Sequence, residues 1–399
     1  MNANRFLLLF LFINLINYVD RQVVSGVAPL IQKHFSLSDA SVGLLATAFM
    51  ITYALTSVPL GMWSDRWYPH KIAAIGVAVW SVASLLSAVA WSFDSLFLFR
   101  ALVGIGEAAY VTTAATILSN VFPEGKRATV LGWFNLGIPL GGAIGVVLGG
   151  WIGTKYGWPW AFTIAGLPGF YLAYLTWKLP LAKQTPDAGS KATFSLIDVF
   201  HLLRNKPYLY TCIGYAGITF AFGAVVFWMP TFFERTFGYT LTKATLVGGG
   251  IEVVAGLLGA PIGGYIADFW QKRNARGRAY TLVIGMGLSA LFFWGGLYFH
   301  SIIFLLLATF FMLWHVGVAS ALIFHVTNHK VWNTASALAL LIMHLFGDIP
   351  SPLAVGVVSD HSSLFTAFAL LPLALLVASL SFFRVGANLR AVGADGVSV

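Results

Sequence analysis

The feature that most constrains this chain is a series of twelve apolar runs, each about twenty residues long or longer, joined by short polar loops. A segment needs roughly twenty apolar residues to cross the hydrocarbon core of a bilayer. Lipid cannot hydrogen-bond to the backbone, so spanning segments of this kind are helices. The sequence therefore predicts an all-α membrane protein with twelve transmembrane helices. The runs fall at about 6–32, 40–63, 72–91, 95–118, 128–152, 158–179, 207–230, 242–266, 279–298, 302–326, 332–357 and 363–384.

Charge is scarce in this chain of 399 residues, of which 9% are charged and 58% are hydrophobic. A soluble domain carries about 25% charged residues, and with so few it would expose large apolar patches. The net charge of +9 would suit a nucleic-acid partner, but the basic residues stand in short clusters between apolar runs. We therefore predict an integral membrane protein surrounded by membrane lipids, with no nucleic-acid partner.

Nothing in the sequence points to enzyme or metal chemistry. Cys212 is the single cysteine, which excludes an intramolecular disulfide, and the nine histidines form no ligand-spaced cluster. The chain contains no Gly-x-x-x-x-Gly-Lys-Ser/Thr motif, so ATP-driven pumping is not expected. We expect no cofactor, no metal site and no enzymatic activity.

Lysine and arginine are distributed unequally between the two sets of loops. Basic residues favour the cytoplasmic side of a membrane protein. Four lie in the odd-numbered loops, Arg21 and Arg100 lie within spans, and the other seventeen lie at the N-terminus, in the even-numbered loops or in the tail. We therefore expect both termini to be cytoplasmic. The seventeen are Arg5, Arg66, Lys71, Lys126, Arg127, Lys178, Lys183, Lys191, Arg204, Lys206, Lys272, Arg273, Arg276, Arg278, Lys330, Arg384 and Arg390.

The polar stretch 180–206 separates two sets of six spans. It begins with helix breakers and ends, at 194–204, with apolar residues at helical spacing, which predicts an amphipathic helix on the membrane surface. We expect an N-terminal bundle at 1–179, a cytoplasmic linker at 180–206, and a C-terminal bundle with a short tail at 207–399. We also expect the first span to be retained, because no small-x-small cleavage site follows it.

The two sets share sequence patterns at matching positions. Residues 61–67 and 264–270 both read Gly-x-x-x-Asp-x-Trp, follow a proline and precede a basic loop. Residues 137–139 and 347–350 correspond more loosely, as Gly-Ile-Pro and Gly-Asp-Ile-Pro. Matches six spans apart favour two duplicated, pseudo-symmetric bundles related by an axis along the membrane normal.

Charged residues inside the first and fourth spans are the strongest functional signal. Asp20 and Arg21 lie in span 1, and Arg100 and Glu107 share one face of span 4. An ionised group within the bilayer costs several kcal/mol unless it is paired. Our hypothesis is a buried network of these four residues with a movable proton, in which arginine is the fixed partner. The alternative is a static ion-pair network that holds spans 1 and 4 together.

These segments resemble those of major facilitator superfamily transporters over essentially the whole chain. Arg100-x-x-x-Gly104-x-Gly106 resembles the superfamily motif that is linked to proton coupling. Residues 61–71 resemble its loop motif between spans 2 and 3, although Trp67-Tyr-Pro-His70 replaces a shorter glycine and basic run. The resemblance implies a twelve-helix fold that works by alternating access between the two bundles.

The resemblance also implies gating residues. Residues 137–145 resemble the glycine and proline motif of the superfamily's antiporters, in which proline kinks the helix and glycines permit close sliding. Ordinary tight packing explains the same glycines equally well, and the alternative for the loop charges is a solvated loop set by the membrane topology. The candidate gating residues are Asp65, Arg66, Lys71, Gly137, Pro139, Gly141, Gly142, Asp268 and Asp348.

Four segments are similar to the spinster-like branch in particular. They are Asn17-Tyr-Val-Asp-Arg21, Gly104-Ile-Gly-Glu-Ala-Ala-Tyr110, Ile138-Pro-Leu-Gly141 and, in span 11, Gly347-Asp-Ile-Pro-Ser-Pro352. The first is shared with organic-anion symporters. This resemblance implies a lipid-like substrate such as a lysophospholipid or sphingosine 1-phosphate.

Such a substrate needs a polar, partly cationic place for its head group and an apolar trough for its tail. Arginines of the network could face a phosphate, and phenylalanines of the second bundle could contact the tail, although most phenylalanines will face lipid. A lone intramembrane histidine is more often a packing residue than a ligand. The candidates for substrate binding are Asn14, Asn17, Tyr18, Tyr110, Asn135, Phe220, Phe222, Phe227, Glu252, Phe311, Trp314, His315 and His344.

The sequence thus predicts a secondary active transporter of a lipid-like amphiphile, acting as a monomer, coupled to protons and favouring export. The short loops suggest a bacterial inner membrane. Two alternatives remain open, namely a proton-driven organic-anion or sugar-acid symporter and a gradient-independent lipid scramblase.

Overall fold

The structure, a computed structural model, describes residues 3–64, 66–181 and 196–394, and every regular element in these ranges is helical. Short 3₁₀ turns at Leu313–His315 and His329–Val331 and a π-helical turn at His344–Asp348 join some of the α-helices. The α-helices are α1 (Ala3–Phe35), α2 (Asp39–Ser64), α3 (Pro69–Ala88), α4 (Phe93–Val121), α5 (Glu124–Asn135), α6 (Gly137–Tyr156), α7 (Trp158–Trp177), α8 (Leu196–Arg204), α9 (Lys206–Phe237), α10 (Leu241–Gln271), α11 (Gly277–Tyr298), α12 (Ile302–Met312), α13 (Val318–Val326), α14 (Trp332–Met343), α15 (Ser351–His361) and α16 (Leu364–Ala394).

Eleven helical segments of the described ranges are long and apolar enough to cross a membrane. The helix α7, with 20 residues, matches the remaining predicted span, and its tryptophans, tyrosines and internal Pro168 make it less hydropathic. Each predicted run therefore corresponds to a helix or to two helices in succession. The predicted all-α membrane architecture is confirmed, and the cytoplasmic placement of the termini stays a prediction.

The fifth predicted span is divided at Leu136, where α5 ends and α6 begins. Pro139 explains the division. Its ring lacks an N–H and collides with the carbonyl four residues earlier, which belongs to Asn135, the last residue of α5. Proline is tolerated in the first turn of a helix, so α6 can start at Gly137 with Pro139 inside that turn.

Two further spans contain interruptions with local causes. After α12, the chain turns at Gly317, whose φ of +79° is one that glycine adopts readily. In span 11, the π turn places the N–H of Ile349 on the carbonyl of His344 at 3.1 Å, immediately before Pro350. Such π turns occur frequently at functional sites.

The chain forms two compact units. Unit 1 comprises Met1–Lys191 and Phe227–Gly250, and unit 2 comprises Ala192–Val226 and Ile251–Val399. The division passes through the middle of α9 and α10, so that the end of α9 and the start of α10 belong to unit 1. The domain boundaries expected from the sequence stay a prediction.

Unit 1 is held together by a row of glycines on α6 that faces α1. Glycines recur every fourth residue from Gly137 to Gly153. A Cβ at Gly141 or Gly145 would collide with the carbonyl oxygens of Leu15 or Val19, and one at Gly149 would lie 2.7 Å from that of Val23. Side chains are absent where the two backbones meet, which permits the close approach typical of packed membrane helices. Gly142 is also buried. The sequence motif at 137–145 is therefore part of a longer packing surface.

Unit 2 has its own core, in which α9, α11, α13 and α16 contribute fully buried residues such as Ile218, Met286, Leu322 and Phe382. A second cluster around Tyr208 and Cys212 joins the start of α9 to α14. There the Tyr208 hydroxyl donates to the Ala335 carbonyl at 2.8 Å.

The predicted amphipathic helix of the linker occurs as α8. Leu202 packs in the cluster around Tyr208, whereas Phe200 and Leu203 are exposed. Asn205, just after α8, donates to the Val326 carbonyl at 2.9 Å. The rest of the linker, 182–195, lies outside the described residues, and the position of α8 on a membrane surface stays a prediction.

The glycine row makes a testable prediction about stability. Gly145→Ala should lower the free energy of unfolding by about 1–3 kcal/mol, because the new methyl group would be forced into the backbone of α1. The measurement is thermal unfolding of the purified protein in detergent.

Gly132→Ala is the matched control, because a Cβ at Gly132 would meet nothing within 4 Å. That variant should leave stability unchanged or raise it by up to about 1 kcal/mol through helix propensity. Equal effects of the two substitutions would contradict the packing explanation.

Candidate functional site

The polar residues of α1 are almost completely buried within unit 1. Asn14, Asn17 and Asp20 expose 2%, 0% and 0% of their surfaces. Such burial in a membrane-spanning helix requires polar partners. The partners come from α2, α3, α4 and α5, so α1 is the element around which the candidate site is built.

Asp20 faces α3 and α4. Ser84 of α3 donates to its Oδ1 at 2.5 Å, and a guanidinium nitrogen of Arg100 on α4 lies 3.9 Å from its Oδ2. Arg100 is itself fully buried, with Phe49 and Phe162 rings 5.7 and 5.8 Å from its guanidinium carbon. The pair is therefore an ion pair in a low-dielectric setting, stabilised by one hydroxyl and two aromatic faces.

Arg21, the next residue of α1, points to α2 instead. Its guanidinium carbon lies 4.7, 5.2 and 5.5 Å from the ring centres of Phe49, Tyr53 and Tyr18. One of its N–H groups points at the sulfur of Met50, at 2.9 Å. Cation–π contacts of this kind hold an arginine in place by the faces of its guanidinium. The two adjacent charges of α1 are thus directed to different neighbours.

Glu107 is fully buried and lies on the same face of α4 as Arg100. Arg21, Asp20 and Arg100 are the charges that act on it, and Asn17 is the polar side chain beside it. Within the described part of the chain, neither carboxylate oxygen has a hydrogen-bond donor in good geometry, and both polar atoms of the Asn17 amide are in the same condition. The four residues of the predicted network therefore come together in one unit. Among the described residues, Asp20 Oδ1 has a hydroxyl donor while its Oδ2 has none, and the polar side chain next to Glu107 is the Asn17 amide.

Two glycines explain how α4 brings its charges into this position. A Cβ at Gly104 would collide with the carbonyl of Phe49 on α2, and one at Gly106 would lie 2.5 Å from the backbone nitrogen of Trp80 on α3. Two residues along a helix turn by about 200°, so these glycines lie on nearly opposite faces. The Gly-x-Gly pattern lets α4 pack closely against both neighbours. Arg100 is buried before this pattern in the helix, and Glu107 is buried directly after it.

Four other candidates of unit 1 lie nearby. The Tyr110 hydroxyl donates to the Phe10 carbonyl at 2.8 Å, and the Asn14 amide donates to the Phe134 carbonyl at 2.8 Å. These bonds fasten α1 to α4 and α5. Tyr18 borders Arg21, and Asn135, at the end of α5, is exposed.

Sequence reasoning missed the partners of these charges. The sequence did contain a signal for Ser84, because serine recurs at every third residue of α3, at 81, 84 and 87. All three serines are fully buried. Phe49 and Tyr53 had none, since aromatic residues are common in every span. Their role depends on the packing of α2 against α1 and α4.

Unit 2 contains a second polar pair. His344 Nδ1 lies 2.9 and 3.0 Å from the two carboxylate oxygens of Asp348, across the π turn. From the sequence, His344 was a candidate for binding and Asp348 one for gating, although their spacing of four residues would place them together on a helix. His315 is held by the Met312 carbonyl at 2.7 Å, and Tyr215 and Phe222 border its ring.

The remaining binding candidates are apolar or isolated. Phe220, Phe311 and Glu252 of unit 2 are half-buried, and Trp314 is buried against Phe310 and Phe311. Phe227 is buried in unit 1, where its carbonyl accepts a hydrogen bond from Ser25 at 2.6 Å. In the described ranges, no three His, Cys, Asp or Glu residues gather as a metal site would require.

The loop candidates for gating fall into three groups. Asp65 lies outside the described residues, and Arg66 is exposed. The Lys71 ammonium lies 4.5, 5.2 and 6.0 Å from the rings of Tyr68, Trp177 and Trp67, so the unusual aromatic loop surrounds a cation. At the repeated position in unit 2, Asp268 pairs with Arg278 at 3.1 Å.

Comparisons with known proteins agree with this architecture. The chain matches the sequence profile of the Major Facilitator Superfamily over residues 10–276. Protein spinster homolog 1 of Xenopus laevis is 30% identical over 382 residues, which cover 89% of this chain and 72% of that protein. The sphingosine-1-phosphate transporter SPNS2 of Danio rerio is 30% identical over 379 residues, which cover 88% of this chain and 74% of that one.

A solved structure has the same fold. It is a bacterial homolog of the human lysosomal transporter spinster, crystallised in an inward-facing and unoccupied conformation. The TM-score is 0.83, the sequence identity is 21%, and the match covers 98% of both chains.

The contact between Ser84 and Asp20 makes a testable prediction. Ser84→Ala should lower the free energy of unfolding by about 1.5–3 kcal/mol, because it removes a hydrogen bond to a buried carboxylate. Thermal unfolding in detergent measures the change.

Ser87→Ala, on the same face of α3, is the control. Its hydroxyl donates only within the helix, to the Ala83 carbonyl at 2.9 Å, and its loss should cost less than about 1 kcal/mol. If Ser87→Ala were the more damaging change, the role assigned to Ser84 would be wrong.

Proposed function

We propose that this chain, which belongs to the major facilitator superfamily and within it to the spinster-like transporters, moves a lipid-like amphiphile across its membrane by transport that is coupled to protons. Family membership confirms the resemblance seen in the sequence, and it makes the chain a membrane transporter and not an enzyme. The proton, the direction of transport and the substrate class are the proposal.

The assignment of the proton rests on the difference between the two buried acids. Asp20 has a hydroxyl donor and an arginine next to it, whereas Glu107 has no aligned donor among the described residues. A carboxyl group without fixed donors can change its protonation state with little rearrangement of hydrogen bonds. We therefore assign proton uptake and release to Glu107, and the fixed ion pair to Asp20 and Arg100.

Arg21 is the residue to which we assign the anionic head group. Its aromatic surroundings fix the guanidinium by its faces, and charge-assisted bonds from arginine to phosphate are strong and directional. Glu107 is also among the charges near Arg21. The protonation state of Glu107 therefore changes the charge that a phosphate at Arg21 would meet, which links substrate and proton.

The substrate class rests on the relatives and on the apolar surroundings. The Danio rerio relative is named as a sphingosine-1-phosphate transporter. We propose a lysolipid or sphingoid phosphate, with half-buried phenylalanines of unit 2, among them Phe220, Phe222 and Phe311, contacting the tail. We further propose export across a bacterial inner membrane by a monomer, with the antiporter-like motif at 137–145 as the reason for the direction.

A substrate panel tests this assignment. Purified protein in liposomes should transport one or more lysolipids or sphingoid phosphates, and a pH gradient should accelerate that transport. Preference for organic or sugar acids, with accumulation lost when the gradient collapses, would support the symporter alternative. Equilibration of lipids at the same rate with and without a gradient would support the scramblase. Transport of none of the amphiphiles would remove the leading substrate class.

Glu107→Gln tests the coupling. Without a titratable group at this position, transport should lose its dependence on the pH gradient and fall at least about tenfold when driven by it. The measurement is the transport rate in proteoliposomes with and without the gradient.

Asp94→Asn, an exposed acid in the first turn of the same helix, is the control and should behave like the unmodified protein. A gradient response that survives in Glu107→Gln would move the proton elsewhere, and would favour the static ion-pair interpretation of the network.

A further inference from the structure

The Lys71 ammonium, at the start of α3, lies among aromatic rings and has no acid beside it. The rings of Tyr68, Trp177 and Trp67 are 4.5, 5.2 and 6.0 Å away. Among the described residues, no carboxylate forms an ion pair with Lys71. Aromatic faces attract a cation without neutralising it, and an ammonium group has three N–H donors. Lys71 therefore presents a positive charge and donors that an anionic ligand can use.

The neighbourhood of Lys71 has an excess of positive charge. Arg66, in the loop before α3, and Lys178, directly after Trp177, are both exposed. Asp65 is the single acid of the stretches 61–71 and 174–178, and it lies outside the described residues. A ligand with a cationic group would compete with Lys71 for the same rings. The charges therefore favour a ligand that carries a negative charge and no positive one.

Lys71 lies at the level of the lipid head groups. The span that contains α3 extends from Pro69 to Ala88, so Lys71 is in its first turn. Trp63 stacks on Trp67 with ring centres 5.7 Å apart, and Trp63 and Trp177 are about half exposed. Tryptophan and tyrosine are enriched where a membrane meets water. The anion that is abundant at this level of a membrane is the phosphate of a lipid.

An apolar groove lies on the same face of α3, deeper in the membrane. It has a volume of about 240 Å³ and is lined by apolar side chains of α3, among them Ala78, Val82 and Leu86, and by Leu102 of α4. Val82 is 45% exposed, so the groove is open on the outer surface of unit 1.

The groove and Lys71 are placed as the two parts of one lipid would require. Ala78, Val82 and Leu86 follow Lys71 by 7, 11 and 15 residues, which puts them within about 60° of it around the helix axis. At a rise of 1.5 Å per residue, they lie roughly 10 to 22 Å deeper than Lys71. Acyl chains of one leaflet occupy this range of depth, because each leaflet contributes about half of the 30 Å hydrocarbon core.

We propose that Lys71 and this groove bind one anionic phospholipid of the membrane leaflet on the side of the loop between α2 and α3. The phosphate binds the Lys71 ammonium beside Tyr68, Trp67 and Trp177, and one acyl chain lies in the groove between α3 and α4. The site is on the outer surface of unit 1, away from the buried charges of α1 and α4. It does not depend on the proposed transport function.

Native mass spectrometry tests the head-group part of the site. Protein in detergent is titrated with phosphatidylglycerol, an anionic phospholipid without a cationic group, and should bind the first molecule more tightly than any later one. Lys71→Gln should weaken this first step at least about fivefold, because it removes one positive charge at the membrane surface. Lys71→Arg keeps the charge and should retain the preference. An unchanged first step in Lys71→Gln would overturn the site.

Lys155→Gln is the matched control. The Lys155 ammonium also lies near two rings, 5.7 Å from that of Trp151 and 5.2 Å from that of Tyr156. It is in the last turn of α6, however, on the side of the odd-numbered loops. This variant should bind the first phosphatidylglycerol as the unmodified protein does. Equal weakening in Lys71→Gln and Lys155→Gln would show a general response to surface charge, which would also overturn the proposal.

Ala78→Phe tests the acyl-chain part, because the new ring would fill the groove. The variant should lose the preference for the first phosphatidylglycerol, although Lys71 is intact. Val82→Trp fills the groove from its exposed side, and it carries the test if Ala78→Phe does not fold. Val89→Phe is the control. It adds a ring at an exposed position on the same face, but 18 residues and roughly 27 Å from Lys71, and it should retain the preference. Retention in both groove variants would contradict the acyl-chain assignment.

Phosphatidylcholine separates specific binding from ordinary contact with membrane lipid. It carries the same phosphate together with a quaternary ammonium, so its net charge is zero. The unmodified protein should bind the first phosphatidylglycerol at least about fivefold more tightly than the first phosphatidylcholine. Equal binding would show non-specific lipid contact and would overturn the site. These measurements use no gradient and no transport, so a failure of the proposed function and a failure of the lipid site are seen separately.

Discussion

Charges inside a membrane cost several kcal/mol each unless they are paired, and unit 1 is arranged around four of them. Asp20 and Arg100 form an ion pair at 3.9 Å, and Ser84 donates to the other carboxylate oxygen of Asp20. Arg21 is surrounded by aromatic rings. Glu107 remains without an aligned donor in the described part of the chain. Three of the four charges therefore have a close charged, hydroxyl or aromatic neighbour, and the fourth is the residue to which we assign the proton.

Glycine makes this arrangement possible. The row on α6 brings α1 close to its neighbour, and Gly104 and Gly106 let α4 fit between α2 and α3. Each of these contacts joins backbone to backbone, so a side chain added there would displace a whole helix. The same property allows helices to slide, which a transporter requires. The glycines at 137–145 thus have a packing role in the structure, and their role in gating stays a prediction.

Polar and close-packed contacts also occur together where the end of α9 and the start of α10 lie in unit 1. Arg235 donates to both carboxylate oxygens of Asp39, while Gly150 and Gly249 let α6 and α10 approach each other closely. The π turn of unit 2, with His344 against Asp348, shows a second place where local helix geometry brings titratable groups together.

The sequence by itself determined the helical membrane architecture, the positions of the spans and the family, because hydrophobic length and short motifs are local properties of the chain. It also indicated that Asp20, Arg21, Arg100 and Glu107 belong together. Only the tertiary structure decided that Asp20 faces α3 and α4 while Arg21 faces α2. It alone placed Phe227–Gly250 in unit 1 and joined Arg235 to Asp39, 196 residues away. The direction of a side chain and its distant partners depend on how helices pack, and hydrophobic patterns carry no record of that packing.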